Sequence, residues 1–289
     1  LFMPPFPRLL DSLGSSDKSY ERKSKIIMLQ SQLQSIVEKF AVSATVSTIR
    51  PLGSGLINDT YLVVTEEKDQ PDYVLQRINH EVFPDVDMVM RNIAIVTRHI
   101  RERLIAQGET DLRHHVLEFL PTVEDASRLY AEVDGHYWRL MVFIDHAVTK
   151  QEVNPESAHA AGQSFGHFQA MLADVPCQLG ETIKDFHNME FRIEQLKQAC
   201  VEDRAGRFDE PAVQELLEQL GKRAEAMTEA ERLGREGKLP KRVCHCDTKV
   251  NNMLFSEDGS EVLCVIDLDT VMPSFIFSDY GDFLRTAAS

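Results

Sequence analysis

The chain has 289 residues, of which 43% are hydrophobic and 27% are charged, a composition typical of a folded globular protein. Its 31 Lys and Arg residues against 46 Asp and Glu give a formal net charge of −15, which disfavours nucleic acid and anionic membrane as partners. No run of about 18 apolar residues occurs, so the sequence predicts no membrane span.

The five cysteines lack the spacing of a disulfide framework, which favours free thiols in a reducing compartment. The start of the sequence lacks the pattern of a signal peptide, and together these features predict a cytoplasmic protein. Cys244-His245-Cys246 has no second Cys or His pair nearby, which argues against zinc. The length favours two lobes, and we expect an N-terminal lobe over residues 1–145 and a helical C-terminal lobe over 146–289.

The N-terminal part begins with a predicted helix over residues 17–40, followed by strands at 45–49 and 61–65. Between these strands, Gly53, Ser54 and Gly55 form a loop whose backbone can approach a ligand closely. An ordinary hairpin turn is the alternative interpretation of this loop. The next predicted strand, 73–79, carries Gln76 and Arg77, and only one of these neighbours can face a ligand on a given side of the sheet.

The remaining elements change from strands to helices at about residue 149. A helix is predicted from Phe83 to Gln107, and further strands at 116–120, 127–131 and 137–144. We place the linker between the lobes at 143–150. Helices are then predicted at 158–172, 191–200 and 211–234, and Phe186, His187 and Asn188 lie in a loop that either lines the acceptor pocket or caps a helix.

The most informative stretch, residues 243–270, contains His245, Asp247, Lys249 and Asn252 on one loop, then Asp267 and Asp269. Apolar runs at 253–255 and 262–266 flank a turn-rich segment and predict a β-hairpin. Pairing these runs brings Asn252 and Asp267 together as oxygen ligands suited to Mg²⁺. Asp247 can accept a proton, and His245 is expected to hydrogen-bond the loop. Alternatively, these polar side chains simply cap turns.

Four segments carry a resemblance: QRIN at 76–79, HCDTKVNN at 245–252, IDLDTVMP at 266–273 and YGDFLR at 280–285. They resemble the aminoglycoside phosphotransferase-like kinases, and most closely the N-acetylhexosamine 1-kinases among them. The resemblance implies an α+β, two-lobe protein-kinase-like fold with ATP and Mg²⁺ between the lobes. It further implies a role in carbohydrate metabolism: phosphorylation of N-acetylglucosamine or N-acetylgalactosamine at the anomeric hydroxyl.

The kinase template assigns roles to the candidate residues. Asp247 is the expected catalytic base, Lys249 contacts the γ-phosphate, and Asn252 and Asp267 bind the metal. The nucleotide is expected to meet the glycine loop, the backbone of Phe143 and Ile144, and Arg77, which we prefer to Gln76 for its charge. The candidate sugar-binding residues are Asp247, Asp269, Asp282 and Arg285; the last two could instead form a helix-surface ion pair. Asp269 could instead support the metal site.

Other activities are considered from the same residues. An aminoglycoside, choline or homoserine acceptor is compatible with the acidic chain. A mucin-desulfating sulfatase is disfavoured because no Cys/Ser-x-Pro-x-Arg segment occurs, and an inactive pseudokinase binding module is disfavoured because all the expected site residues are present.

Kinases of this type usually carry further C-terminal helices at the acceptor pocket, so we expect the chain to be incomplete there. The last helix is predicted to start near Ser278 or Asp279. Oligomeric state and the choice of ATP over other nucleotides are left open.

Overall fold

The computed structural model describes residues 30–53, 57–152, 154–176 and 178–287. Most of the predicted leading helix lies outside these ranges, and its end forms α1 (Gln30–Val37). Each helix in the described ranges is too short or too polar to cross a bilayer.

A five-stranded antiparallel sheet forms the N-terminal half, with the strand order β1-β2-β3-β5-β4. Its strands are β1 (Val46–Pro51), β2 (Asp59–Thr65), β3 (Tyr73–Ile78), β4 (Ala131–Val133) and β5 (His136–Val142). Four of them match predicted strands closely, but β4 begins at the end of the predicted strand 127–131. The segment 116–120 is extended and hydrogen-bonds to β5 through Leu120 N and Leu140 O at 2.8 Å, with only an isolated bridge in place of the predicted strand.

Helices cover the two faces of this sheet. On one face, Leu33, Ile36 and Val37 of α1 pack with Leu75 and Trp138. On the other face lies α2 (Val86–Ala106), whose buried side chains recur at helical spacing. Its first turn is capped by Asp85, which accepts a hydrogen bond from the Met88 amide at 2.9 Å. A short helix, α3 (Leu112–His115), follows.

The C-terminal half is mainly helical and carries two small sheets. The helices are α4 (Pro155–Met171), α5 (Met189–Glu202), α6 (Pro211–Met227), α7 (Glu229–Arg235) and α8 (Ile276–Ala287). The helix predicted at 211–234 is divided into α6 and α7 at Thr228. One sheet has the order β6-β8-β9, with β6 (Ala147–Val148), β8 (Met253–Ser256) and β9 (Val262–Val265); the other pairs β7 (Arg242–Cys244) with β10 (Met272–Ser274).

One hydrophobic cluster joins the two halves. Val89, Ile93 and Val96 of α2, all fully buried, belong to the same cluster as Phe168 of α4 and Val271 beside β10. The buried Asn92 adds polar contacts: its amide donates to the carbonyl oxygens of Gly180 at 2.8 Å and Val271 at 3.0 Å. The long helix α2 therefore packs against both the sheet and the helical half.

Candidate active site

The loop after β7 brings Asp247, Lys249 and Asn252 into direct contact. Asp247 Oδ2 lies 2.7 Å from Lys249 Nζ and accepts a hydrogen bond from Asn252 Nδ2 at 3.1 Å. The same amide donates to the Asp247 carbonyl oxygen at 2.8 Å, which closes the loop on itself. The side-chain hydrogen-bond donors of Asn252 are thus used inside the loop, whereas no hydrogen bond to its side-chain oxygen is present among the described residues.

His245 has the structural role predicted for it. Its side chain is fully buried, and Nε2 lies 2.9 Å from the carbonyl oxygen of Ile266, at the end of β9. Phe165 and Phe168 of α4 contact the imidazole edge to face, with ring centroids 5.7 and 5.8 Å away. The residue therefore ties the loop to the hairpin and to α4.

Asp279, in the first turn of α8, holds the backbone of the loop that carries Asp247. Asp279 was not predicted from the sequence to have this role. Its buried carboxylate accepts hydrogen bonds from the amides of His245 at 2.9 Å and Cys246 at 2.8 Å, and from Gln169 at 2.8 Å. The expected N-cap at Ser278 or Asp279 is wrong, because α8 begins at Ile276. Cys246 adopts a positive φ of 66°, a strained conformation that these bonds help to hold.

Asp267 follows β9 and faces the loop in the left-handed region, at φ 60° and ψ 56°. The residue is exposed to solvent by surface area, yet protein atoms surround its carboxylate closely. That burial, together with the like charges of Asp269 and Asp247, raises the pKa of Asp267 to about 6. Among the described residues, no hydrogen bond or ion pair to the Asp267 carboxylate is present.

These groups fit a magnesium ion that is completed by phosphate. No cluster of three or more His, Cys, Asp or Glu side chains forms a metal cage within the described ranges. Mg²⁺, however, is commonly held by one or two protein oxygens together with substrate phosphates and water. A carboxylate that is destabilised by its neighbours, and that has no ion-pair partner among the described residues, is the kind of group that a cation would stabilise. Asp267 and the Asn252 side-chain oxygen would hold it.

Asp269 is buried and already has protein partners on both oxygens. Oδ2 accepts from Asn58 Nδ2 at 2.7 Å, and Oδ1 forms an ion pair with Arg139 of β5. Both partners belong to the N-terminal half, and Asn58 also accepts a hydrogen bond from the Asn79 amide at 3.0 Å. The geometry therefore favours a linking role for Asp269 over direct binding of a sugar.

The two candidates on β3 face opposite sides of the sheet. Arg77 shares the side of Tyr73 and Leu75 and pairs with Asp59 on β2. Gln76 points the other way, and its Oε1 accepts from Arg139 Nη2 at 2.8 Å. Arg77 therefore does not lie with Asp267 and Asp269, so the nucleotide contact predicted for it is disfavoured. Sequence reasoning missed Arg139, because nothing in the sequence of β5 shows what lies opposite it.

The glycine loop is described only in part. Gly53 has a φ of 71°, a conformation that favours glycine, whereas Ser54 and Gly55 lie outside the described residues. At the predicted linker, the Phe143 amide donates to the Asp72 carbonyl oxygen at 2.9 Å, and the Phe143 carbonyl accepts from Arg113 at 3.3 Å. Ile144 is buried in the shared core. Adenine binding by this backbone stays a prediction.

Asp282 and Arg285 form the ion pair that was considered as their alternative role, at 2.6 Å on α8. The second oxygen of Asp282 accepts from the Thr248 amide at 2.9 Å, so this carboxylate also supports the loop next to Asp247. Its participation in sugar binding stays a prediction.

A cavity of about 490 Å³ adjoins the loop at Cys246, although Asp247 itself does not line it. Phe186 and His187 line it as a stacked pair with ring centroids 4.6 Å apart. Desolvation lowers the pKa of His187, and its buried Nδ1 has no hydrogen-bond partner within the part of the chain that the structure describes. Asn188 also lines the cavity, and it caps α5 by accepting from the Phe191 amide at 3.2 Å, which is the predicted capping role. That this cavity receives the acceptor stays a prediction.

The sheet, the helical half and the intervening loop-hairpin site define a protein-kinase-like fold, which solved structures confirm. A spectinomycin phosphotransferase, APH(9)-Ia, solved with ADP and spectinomycin, superposes with a TM-score of 0.52 at 14% identity, over 91% of this chain and 78% of that chain. An aminoglycoside phosphotransferase from Alicyclobacillus acidocaldarius gives 0.55 at 17% identity, over 88% and 70%. The GDP and kanamycin complex of APH(2")-IIia gives 0.56 at 13% identity, over 89% and 78%.

The family of the chain is established by its sequence. Residues 48–289 match the model of APH, the phosphotransferase enzyme family, and the protein belongs to that family. The predicted phosphotransferase class is therefore confirmed, while the acceptor is a separate question.

Proposed function

We propose that the protein transfers the γ-phosphoryl group of Mg-ATP to the anomeric hydroxyl of N-acetylglucosamine or N-acetylgalactosamine. The observation that carries the phosphoryl-transfer part is the contact between Asp247, Lys249 and Asn252 on one loop that faces Asp267. The sugar part rests on the four segments that resemble the N-acetylhexosamine 1-kinases.

Asp247 would receive the proton of the acceptor hydroxyl as the phosphoryl group is transferred. Lys249 lies 2.7 Å from it and would direct its ammonium group to the γ-phosphate. Positioning and charge neutralisation are expected to contribute more than proton transfer. Asn252 and Asp267 would hold Mg²⁺, which supplies charge neutralisation at the phosphates when bound.

Nucleotide binding is supported by the family and by the structures that share this fold. One was solved with ADP and another with GDP. We choose ATP over GTP on the resemblance alone. Because ATP is available in the cytoplasm, we expect the enzyme to act there.

The acceptor is expected to meet Asp247 and the surfaces next to its loop. Asp282 and Arg285 stay candidates because α8 holds them beside Thr248, whereas Asp269 is a weaker one because both of its oxygens are occupied. A hexose requires bidentate polar groups and an apolar face. The cavity beside Cys246 offers both, through the stacked Phe186 and His187 and the nearby Asp185.

A cationic acceptor is the second candidate. The same cavity is also lined by Glu181 and Glu231, which would attract an aminoglycoside or another amino alcohol. Two structures with this fold were solved with spectinomycin and kanamycin. The presence of Lys241, which pairs with Glu181 at 2.9 Å, weakens this attraction.

The test is an incubation with Mg-ATP and each acceptor in turn. We expect N-acetylhexosamine to yield an acid-labile phosphate, seen in proton NMR as a phosphorus-coupled H1. Plain glucose should react poorly, because groups that bind the acetamido substituent would lose their partner. Phosphate on C6, or faster turnover of kanamycin, choline or homoserine than of both sugars, would contradict the sugar assignment and leave the kinase assignment intact.

A further inference from the structure

Arg139 is a buried cation that joins β5 to the metal end of the site. Its residue is 2% exposed, and Nη1 forms an ion pair with Asp269, two residues after Asp267. Nε and Nη2 donate to Gln76 Oε1 at 3.0 and 2.8 Å. Every polar atom of the guanidinium is therefore engaged on the side of the sheet that faces Asp267.

The strand next to β5, β3, lacks the lysine that the kinase template has there. In the kinase template, a lysine on β3 supplies the positive charge near the α- and β-phosphates. Here β3 has Gln76 on the side facing the site, and Gln76 is directly opposite Arg139 in the β3–β5 register. Arg77 lies on the other side of β3 with Asp59. The charge missing from β3 is thus present one strand away.

We propose that Arg139 supplies, from β5, the positive charge at the phosphate end of the cleft, acting as a positioning residue for the segment that carries Asp267. This inference rests on the proposed nucleotide-dependent function. Arg139 holds Asp269, and Asp269 holds Asn58 at 2.7 Å, next to the glycine loop. One guanidinium therefore fixes the turn that carries Asp267 and, through Asp269, also Asn58.

The charge of Arg139 matters as well as its hydrogen bonds. Asp247, Asp267 and Asp269 are close enough for their charges to interact, and Lys249 pairs with only the first of them. A second cation lowers the repulsion between these carboxylates and the phosphates that would join them. A neutral side chain at 139 would remove that compensation even if it kept the bond to Gln76.

The experiment measures nucleotide binding by calorimetry for the unmodified protein, Arg139→Gln and Arg139→Lys, with Mg-ATP and with adenosine. For Arg139→Gln we expect a loss of affinity for Mg-ATP of roughly 10- to 100-fold, the size of effect typical when a group that supports a metal site from outside its ligands is removed, and a change of no more than about threefold for adenosine. Arg139→Lys should restore part of the loss, because lysine keeps the charge but not the fork geometry. Arg77→Gln is the matched control and should bind Mg-ATP as the unmodified protein does.

Arg139→Gln leaves Asp269 buried without its ion-pair partner, which can prevent folding. Two further variants avoid that problem. Asp269→Asn keeps the cation and should retain Mg-ATP binding within about tenfold, whereas Arg139→Gln/Asp269→Asn, with neither charge, should lose it.

Equal Mg-ATP affinity of Asp269→Asn and of Arg139→Gln/Asp269→Asn would refute the role of Arg139. Equal losses of affinity for Mg-ATP and for adenosine in Arg139→Gln would refute it as well. Absence of Mg-ATP binding by the unmodified protein would instead refute the proposed function, and this inference with it.

Discussion

At the scale of single residues, Asp267 is placed where its charge is unfavourable. Its backbone is left-handed, and the charges of Asp269 and Asp247 add to the burial that raises its pKa to about 6. Asparagine tolerates the left-handed region well and removes the charge. Asp267→Asn therefore separates the effect of this carboxylate on protein stability from its proposed role in binding Mg²⁺.

We expect Asp267→Asn to melt at a higher temperature than the unmodified protein at pH 8 in EDTA, while losing Mg²⁺-dependent nucleotide binding. The folded-state pKa of Asp267 is raised from 3.8 to about 6. The ionised carboxylate therefore lowers the free energy of unfolding by its full amount above about pH 6, and this effect vanishes below the unfolded-state pKa, where the group is protonated in both states. The melting difference should therefore disappear as the pH falls from 8 towards 4. Differential scanning calorimetry measures it, and a pH-independent difference would mean that charge is not its cause.

Asp247 makes a separate prediction about turnover. Asp247→Asn keeps an oxygen that can accept from Asn252 but removes the proton acceptor, so kcat should fall roughly 10²- to 10⁴-fold with nucleotide binding retained. Asp258→Asn is the matched control, since Asp258 lies in the exposed turn of the same hairpin and contacts Ser256 and Ser260. A kcat for Asp247→Asn close to that of the control would exclude Asp247 as the base.

At the scale of elements, α8 holds the loop through Asp279. Its carboxylate accepts hydrogen bonds from two buried backbone amides and from the Gln169 side chain, which also donates to the Ile276 carbonyl oxygen at 3.5 Å. Asp279→Ala should lower the free energy of unfolding by about 3 kcal/mol, because buried donors lose a charged acceptor. Chemical denaturation measures this loss. Glu229→Ala, which breaks an exposed pair with Arg232 on α7, should change the same quantity by less than about 0.5 kcal/mol.

The short helix α3 is joined to the linker by His114. Its Nδ1 lies 2.7 Å from Asp111, and its Nε2 lies 2.8 Å from Asp145. The hydrogen bond to Asp111, followed by that to Asp145, raises the pKa of His114 above its usual 6.5. The two carboxylates therefore favour the imidazolium.

His114→Gln removes this contribution. Because the folded-state pKa is raised, the stabilisation is complete below the unfolded pKa and is lost as the pH rises through the folded pKa. We expect the unmodified protein to exceed His114→Gln in stability near pH 6, by less than about 1 kcal/mol for a partly exposed pair, and the two to converge at higher pH. Urea denaturation across this pH range measures the difference in free energy of unfolding. A difference that does not change with pH would mean that packing, and not the charge of His114, is its cause.

The sequence predicted these elements unevenly, for physical reasons. The long helix α2, the hairpin β8–β9 and three central strands have strong periodicity or turn chemistry, and the loop from His245 to Asn252 has a specific spacing. Arg139 and Asp279 were missed as site residues because their roles depend on what tertiary structure places opposite them. Arg77 was preferred to Gln76 because of its charge. The side of β3 on which each side chain lies, however, decides which of them faces the site.

At the scale of the whole molecule, α2 shares its core with both halves. Ile93 and Val96 belong to one buried cluster with Phe168 and Val271, and Asn92 hydrogen-bonds across the same boundary. Separating the halves would expose this cluster and leave Asn92 unsatisfied. The two expected lobes are therefore joined by more than a linker.

We expect thermal unfolding in a single transition, with equal calorimetric and van't Hoff enthalpies, although the chain is long enough for two domains. Asn92→Leu removes the polar contacts that cross the boundary and should lower the melting temperature of that one transition without dividing it. Two resolved transitions in the unmodified protein would contradict a shared core.

The shared core also has a consequence for synthesis. The N-terminal sheet and α2 leave the ribosome well before Phe168, and well before Val271, the residue that completes their buried cluster. Domains usually fold as units, N-terminal first, during translation. Here the apolar face of α2 must wait for more than half of the chain to emerge. Nascent chains stalled in this interval should therefore be sensitive to protease and bind chaperones at α2, and become resistant only once β10 is outside the tunnel.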